Sequence, residues 1–437
     1  MPRTTRAAAV GLAAAVVLMA AAMAVPAALD WNVHVRWFPP LHADWDPRLG
    51  AGTLPALALG AVCVRFAVDL AQRLPWRRLL LASYVGGLAW MVSLALVDGA
   101  GGIGDVLDGP YEYLRTARAT DDLPHTLDIY ISRIPADALP SNWPVHIAGH
   151  PPGALTFFVL LARLGLGSGL AAGLVVTLIA ASTAVAVLQT LRILGAEQHA
   201  RHAAPFLVIG PAAIWQCVSA DGMFAAWAAW GICTLALAAT RPWRWTGLGW
   251  SVVAGLLLGW CVMNSYGLPL LGLLAVAVLV VARAWRPVVP AAVAALAVVL
   301  AYVPFGYSWW EALPVLRERY WAGVASNRPP QYWMWGNLAA LAFSAGPMSF
   351  AGVAHALSRR SGPSTRAVWW LVLGGTAMVV AADLSQMSRA EVERIWLPFV
   401  PWLLIGCALL PESWRRRGLA VQVVLALAVQ HLLFTGW

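Results

Sequence analysis

Lysine is absent from this sequence, and all 29 of its basic residues are arginine. Charge of either sign is scarce: 11% of 437 residues, against roughly 25% in soluble domains. A soluble chain of this length would need a polar shell, and this one has none. Cysteine is sparse too. Cys63, Cys217, Cys233, Cys261 and Cys407 lie within apolar runs and lack metal-ligand spacing, which excludes a disulfide framework and a zinc site. The arginines are scattered over short loops and form no stripe, which excludes nucleic acid as a partner.

What is present is hydrophobic. Apolar residues make up 60% of the chain, and there are 25 tryptophans, a residue that anchors at membrane interfaces. Apolar runs near the ~20 residues needed to cross ~30 Å of hydrocarbon recur from end to end. They fall at 8–28, 52–71, 79–97, 169–192, 203–219, 223–240, 246–262, 267–284, 288–305, 337–357, 367–384, 395–411 and 418–435. The expected fold is an all-α polytopic membrane protein of about thirteen transmembrane helices. Residues 1–437 form one transmembrane domain, with no internal repeat. The amino-terminal run reads as an uncleaved first span, too long for a signal-peptide core.

Arginine placement gives the spans a direction. With the amino terminus in the cytoplasm, the inner loops hold Arg73, Arg77 and Arg78; Arg192 and Arg201; Arg241 and Arg244; Arg283 and Arg286; Arg359, Arg360 and Arg366; and Arg415, Arg416 and Arg417. Residues 151–166 are apolar but short. If they spanned, every later basic loop would face outward. They therefore read as an interfacial or re-entrant segment. The outer face then collects a large loop at 98–150, a second at 306–336, and shorter segments at 29–51 and 384–394. Long loops in compact proteins usually carry function.

The 20 acidic residues gather mostly in these outer loops. Asp108 and Glu112 lie in the long loop, Asp44 and Asp46 in the first, and Asp221 at the outer end of a span. Glu393 and Arg394 lie just before another span. Ionisable groups near hydrocarbon are functional candidates by default, and for loop carboxylates ordinary solvation is the competing explanation. The most specific string is Gly149, His150, Pro151, Pro152, Gly153. Its prolines stiffen the entry into the membrane and fix His150 at the water–lipid boundary; a simple polar cap is the plainer role. The aromatics of 306–336 suit either sugar rings or interfacial anchoring.

Taken in order, these strings resemble the GT-C superfamily of polyprenyl-phosphate-dependent glycosyltransferases, over roughly 80–410. The nearest resemblance is to the protein O-mannosyltransferase and aminoarabinose-transferase branch. Members carry Asp-Glu early in the first large outer loop and His-Pro-Pro or Lys-Pro-Pro at its end. Here the loop start reads Asp108, Gly109, Pro110, Tyr111, Glu112, Tyr113, Leu114. That departure leaves the base open between Asp108 and Glu112. Asp221 occupies the place of an acidic metal- or phosphate-linked residue. The run Glu393, Arg394, Ile395, Trp396, Leu397, Pro398 resembles the entry into a late span.

The resemblance implies transfer of a sugar from a polyprenyl-phosphate donor to a lipid, glycan or protein acceptor on the extracytoplasmic face, by base-assisted single displacement. Asp108 or Glu112, or a first-loop residue (Asp44, Asp46), would be the base. His150, Asp221, Arg394, Glu393, Tyr113 and Arg328 would bind donor and acceptor. A divalent cation, if used, would sit at Asp221 and Asp108. An arginine-only, alanine-rich chain points to a GC-rich bacterial genome, and so to a bacterial plasma membrane. The competing function is a transporter or lipid flippase; matched broken helices, a transporter signature, are not found.

Overall fold

The structure, a computed structural model, describes residues 3–359 and 362–436. Met1 and Pro2 of the amino-terminal run, and Arg360 of the basic loops, lie outside the described residues. The architecture is all-α. Among the described residues its one small sheet is an antiparallel pair of two-residue strands, in which Asp44 faces Phe434 and Trp45 faces Leu433.

Among the described residues, eight helices are long and apolar enough to cross a membrane: Thr5–Ala28, Thr53–Arg73, Trp76–Asp98, Gly169–Ile193, Ala220–Thr240, Trp245–Val262, Val288–Phe305 and Arg366–Ser385. A ninth forms if Pro330–Ser344 and Pro347–Leu357 count as one span, bent by 105°. The remaining apolar runs differ for local reasons. Leu268–Ala282 and Val400–Leu409 are shorter apolar helices. The 203–219 run is broken, because Glu197–Val208 stops before Gly210 and Pro211 and only a short turn, Ala213–Gln216, follows. Trp90 donates its indole N–H to the buried Gly210 carbonyl at 3.0 Å, satisfying a backbone group that the break releases. The final helix, Glu412–Leu432, has Arg415, Arg416 and Arg417 in its first turns, so its apolar stretch is confined to the turns after them. Gly153–Leu166 is likewise a short apolar helix.

The 105° bend has a simple cause. Gly346 adopts φ +74°, and Pro347 opens the next helix, which is the pairing of a left-handed glycine and a first-turn proline. A side chain at 346 would also collide with Gln422, whose Oε1 lies 1.9 Å from the position of a Cβ. Elsewhere, small residues allow close helix contact. At Gly255 a Cβ would lie 2.2 Å from the Ala291 carbonyl oxygen. The spacing of Gly255 and Gly259 is the small-xxx-small pattern by which membrane helices approach.

The basic loops gather at one end of the bundle. Arg201 donates to the carbonyls of Ala71 and Leu74, Arg416 pairs with Asp69 at 2.7 Å, and Arg366 donates to the Val280 carbonyl. The 98–150 segment lies at the other end. It folds into short helices, including Leu114–Arg118, Leu123–Asp128 and Val145–Ala148. Its two ends meet where His146 N–H donates to the Tyr111 carbonyl.

Candidate active site

Three separate stretches converge at that end. Glu112 and His146 come from opposite ends of the 98–150 segment. Arg394 sits on the short helix Val392–Ile395. Asp221 lies in the first turn of Ala220–Thr240, where Ser219 caps the helix by accepting from Gly222 N–H at 3.1 Å. A carboxylate there faces the positive end of the helix dipole.

The contacts form one network. His146 Nδ1 lies 2.8 Å from Glu112 Oε1. Arg394 Nη1 is 3.6 Å from the same oxygen, and its Nε is 3.5 Å from Asp221 Oδ2. Arg394 Nη2 lies 3.2 Å from His146 Nε2. A guanidinium only donates, so His146 accepts on Nε2 and donates from Nδ1 to Glu112. Glu112, Asp221 and Arg394 are exposed by only 5%, 2% and 3%, so these charges face one another away from water. Burial pushes the Glu112 carboxyl up. The neighbouring His146, its hydrogen bond and Arg394 outweigh that, and hold it below its ordinary value. The other oxygen, Oε2, is buried with no hydrogen-bond partner.

His150 stands beside this network. Its Nδ1 lies 2.8 Å from the His146 carbonyl oxygen and 3.0 Å from the Tyr113 hydroxyl. Tyr130 holds the turn by donating to the carbonyls of Ile147 and His150. Pro151 and Pro152 lead into Gly153–Leu161, whose first N–H donates to the Met263 carbonyl at 2.7 Å. Burial lowers the His150 pKa, with Asp221 pulling the other way.

The strand of chain carrying Arg394 is under backbone strain. Ala390 and Glu391 both adopt positive φ, 71° and 62°, at a typical cost of ~1–3 kcal/mol each for non-glycine residues. Side chains hold the strand there. Arg328 donates to the Arg389 carbonyl and pairs with Glu391 at 2.9 Å. Asn337 accepts from Ala390 N–H and donates to Asp383 and Ser388. Arg389 donates to the carbonyls of Ala325 and Arg328. Burial raises the Glu391 carboxyl, but Arg328 and His42 more than offset it and hold it at about 2.

Glu393 points to a different environment. His42 N–H donates to its Oε1 at 2.9 Å, and Oε2 is buried without a partner. Burial pushes this carboxyl up to about 7, against hydrogen bonds and Arg394 that lower it. A raised acid favours the folded state when protonated. Its contribution is complete below the ordinary value of 4.5 and is lost as pH rises through about 7. Urea titrations should therefore show stability falling by about 3 kcal/mol across that window, and Glu393→Gln should flatten the fall. An unchanged slope in the variant would contradict the assignment.

The other residues singled out from sequence lie in separate contacts. Asp108 pairs with Arg118 at a partly exposed position. Asp44 pairs with Arg36 at 3.2 Å, and Asp46 is exposed, its N–H donating to the Leu432 carbonyl. Asp108 and Asp221 are each engaged by a different arginine, and no group of three or more His, Cys, Asp or Glu suited to a metal forms among the described residues. Tyr307, Tyr332 and Trp333 of the 306–336 segment are fully buried; Tyr332 donates to the Ala22 carbonyl and Trp333 to that of Val33. They pack helices together and present no open ring face. Sequence reasoning missed His146. It sits one helical turn before His150, and that i, i+4 spacing was the available signal. The supporting roles of His42, Asn337 and Arg389 have no comparable sequence signature.

Fold and site together define an all-α, multi-pass membrane protein with a buried cluster of charged side chains at one end. No family model and no curated protein matches the sequence. Among the solved structures that share the fold are two of the Archaeoglobus fulgidus oligosaccharyltransferase. The apo form aligns with a TM-score of 0.53 at 12% identity, covering 82% of this chain and 56% of that one. The form in complex with Zn and sulfate aligns with a TM-score of 0.50 at 14% identity, covering 81% and 53%. This chain thus spans little more than half their length, and the likeness is one of fold.

Proposed function

We propose that this chain is a membrane glycosyltransferase of the GT-C type. It moves a sugar from a polyprenyl-phosphate donor to a hydroxyl of a glycolipid, envelope glycan or protein. The work takes place at the membrane face opposite the basic loops, the extracytoplasmic face of a bacterial plasma membrane. The observation that carries this reading is the meeting of Glu112, His146, Asp221 and Arg394 from three distant stretches beside the His-Pro-Pro turn. The shared fold with an oligosaccharyltransferase supports it.

In this reading the acceptor oxygen attacks the sugar carbon as the bond to the lipid phosphate breaks, which inverts configuration. Glu112 Oε2, unpartnered, takes the acceptor proton. A carboxylate held this low is a weak base, so it serves by aligning the hydroxyl and accepting its proton as the new bond forms. Arg394 faces the leaving phosphate, whose oxygens match a guanidinium fork. One guanidinium against two carboxylates leaves the cluster with net negative charge while both imidazoles are neutral. Phosphate arrival would favour protonation of His150, which then adds a donor. Glu112 and Asp221 are both engaged by Arg394, which meets part of their charge within the chain. Residues 151–166 would line the membrane entry as an interfacial segment.

The test is incubation of membranes carrying the chain with radiolabelled polyprenyl-phosphate sugars. Label should move to an acceptor. No transfer with any donor, together with lipid or solute flux in reconstituted vesicles, would favour a transporter or flippase. Within the same assay, Asp108→Asn should leave transfer near the wild-type rate and stability within ~1 kcal/mol, since a partly exposed pair contributes little. Loss of transfer in Asp108→Asn with normal folding would move the base from Glu112 to Asp108.

A further inference from the structure

At the end of the bundle opposite the Glu112 cluster, the last turns of Gly169–Ile193 and Ala220–Thr240 border a cavity of about 370 Å³. Asp221 opens the second helix and Arg241 follows its end. At 1.5 Å per residue the two lie about 30 Å apart, near the thickness of bilayer hydrocarbon. The cavity therefore belongs to the other leaflet.

Its lining is divided in character. Gln189, Arg192 and Arg241 supply donors, while Ile193, Trp230 and Leu237 supply an apolar wall. Gln189 already accepts from Trp76 through its oxygen at 3.0 Å, so its amide N–H groups are what it can offer. Arg192 uses Nε on Glu197 at 3.0 Å, and its guanidinium lies 4.8 Å from the Trp76 ring centroid. Glu197 is shared with Arg201 at 2.8 Å. One carboxylate thus faces two guanidiniums, and the exposed Arg241 adds a third, so positive charge is in excess. Trp230 turns its N–H away from the wall, donating to Ser182 at 3.0 Å, and its ring remains as apolar surface.

We propose that this cavity binds an anionic phospholipid of that leaflet. The phosphodiester lies between Arg192 and Arg241, and the first acyl carbons lie against Trp230 and Leu237. Charge complementarity argues for the anionic head, and the apolar wall argues for a lipid over a free anion. The site is independent of the transfer reaction and stands whether or not that reading does.

The full chain is placed in nanodiscs of phosphatidylcholine alone, or of phosphatidylcholine with phosphatidylglycerol, and Tm is measured. The control variant is Arg244→Gln, because Arg244 is exposed close by but does not line the cavity and its loss changes net charge equally. Phosphatidylglycerol should raise the wild-type Tm by about 2–4 °C, the size expected for a modest binding energy in a domain this large. Arg241→Gln should lose that rise and Arg244→Gln should keep it. The proposal fails if phosphatidylglycerol gives no rise over phosphatidylcholine, or if both variants lose the rise equally, which would indicate general surface charge. It also fails if inorganic phosphate added to phosphatidylcholine discs reproduces the full rise, which would indicate a free-anion site.

Discussion

Arg394→Gln should abolish sugar transfer and strongly destabilise the chain. The guanidinium lies within 3.6 Å of both Glu112 and Asp221 carboxylates, in a region almost closed to water. Removing it leaves two buried anions, of which only Glu112 keeps a partner, the His146 imidazole. Breaking a buried ion pair by deleting one partner typically costs about 3–5 kcal/mol. Lost stabilisation of the leaving phosphate should separately lower the rate by about 10²–10³-fold, as for a single charge-stabilising donor. Arg394→Lys separates the two effects. It keeps the charge but loses the fork, so it should fold better than the glutamine variant and still transfer poorly. A lysine variant with wild-type transfer would show that Arg394 balances charge without touching the phosphate.

Glu112→Gln should leave a folded protein with about 10²–10⁴-fold less transfer, the usual range for loss of a general base. The amide matches the carboxylate in shape, and its oxygen can still accept from His146. The pH profile carries the sharper information. Glu112 sits below its ordinary value because His146 and Arg394 favour its charged form. Wild-type transfer should therefore persist on the acid side to a lower pH than a free glutamate would allow. The residual activity of the variant should lack that acid limb. If the variant keeps both rate and limb, the proton goes elsewhere.

The helical membrane character was fully legible in the sequence, because apolar run length is a direct readout of bilayer thickness. The spans were less legible. Runs at 203–219 and 337–357 are continuous in hydrophobicity yet interrupted in backbone, by Gly210 with Pro211 and by Gly346 with Pro347. Hydropathy counts the apolar atoms and is blind to a bend. The site was partly legible. Glu112, Asp221, His150 and Arg394 stand out because charge at membrane depth is rare, and the structure brings them together. Asp108 stood out equally and pairs with Arg118, since adjacency in sequence does not say which carboxylate turns inward. His146 was hidden by its neighbour in the more distinctive His-Pro-Pro string. The lattice of Arg328, Glu391, Arg389 and Asn337 was not legible as a unit, because it joins loops far apart in sequence through backbone carbonyls.

The most direct measurement is transfer from a radiolabelled polyprenyl-phosphate sugar by purified, reconstituted wild type and Glu112→Gln, compared at equal amounts of folded protein. Label should appear in product with wild type and fall by about 10²–10⁴-fold in the variant. Equal transfer by the two proteins, or none by wild type across the donor series, would contradict the proposed function.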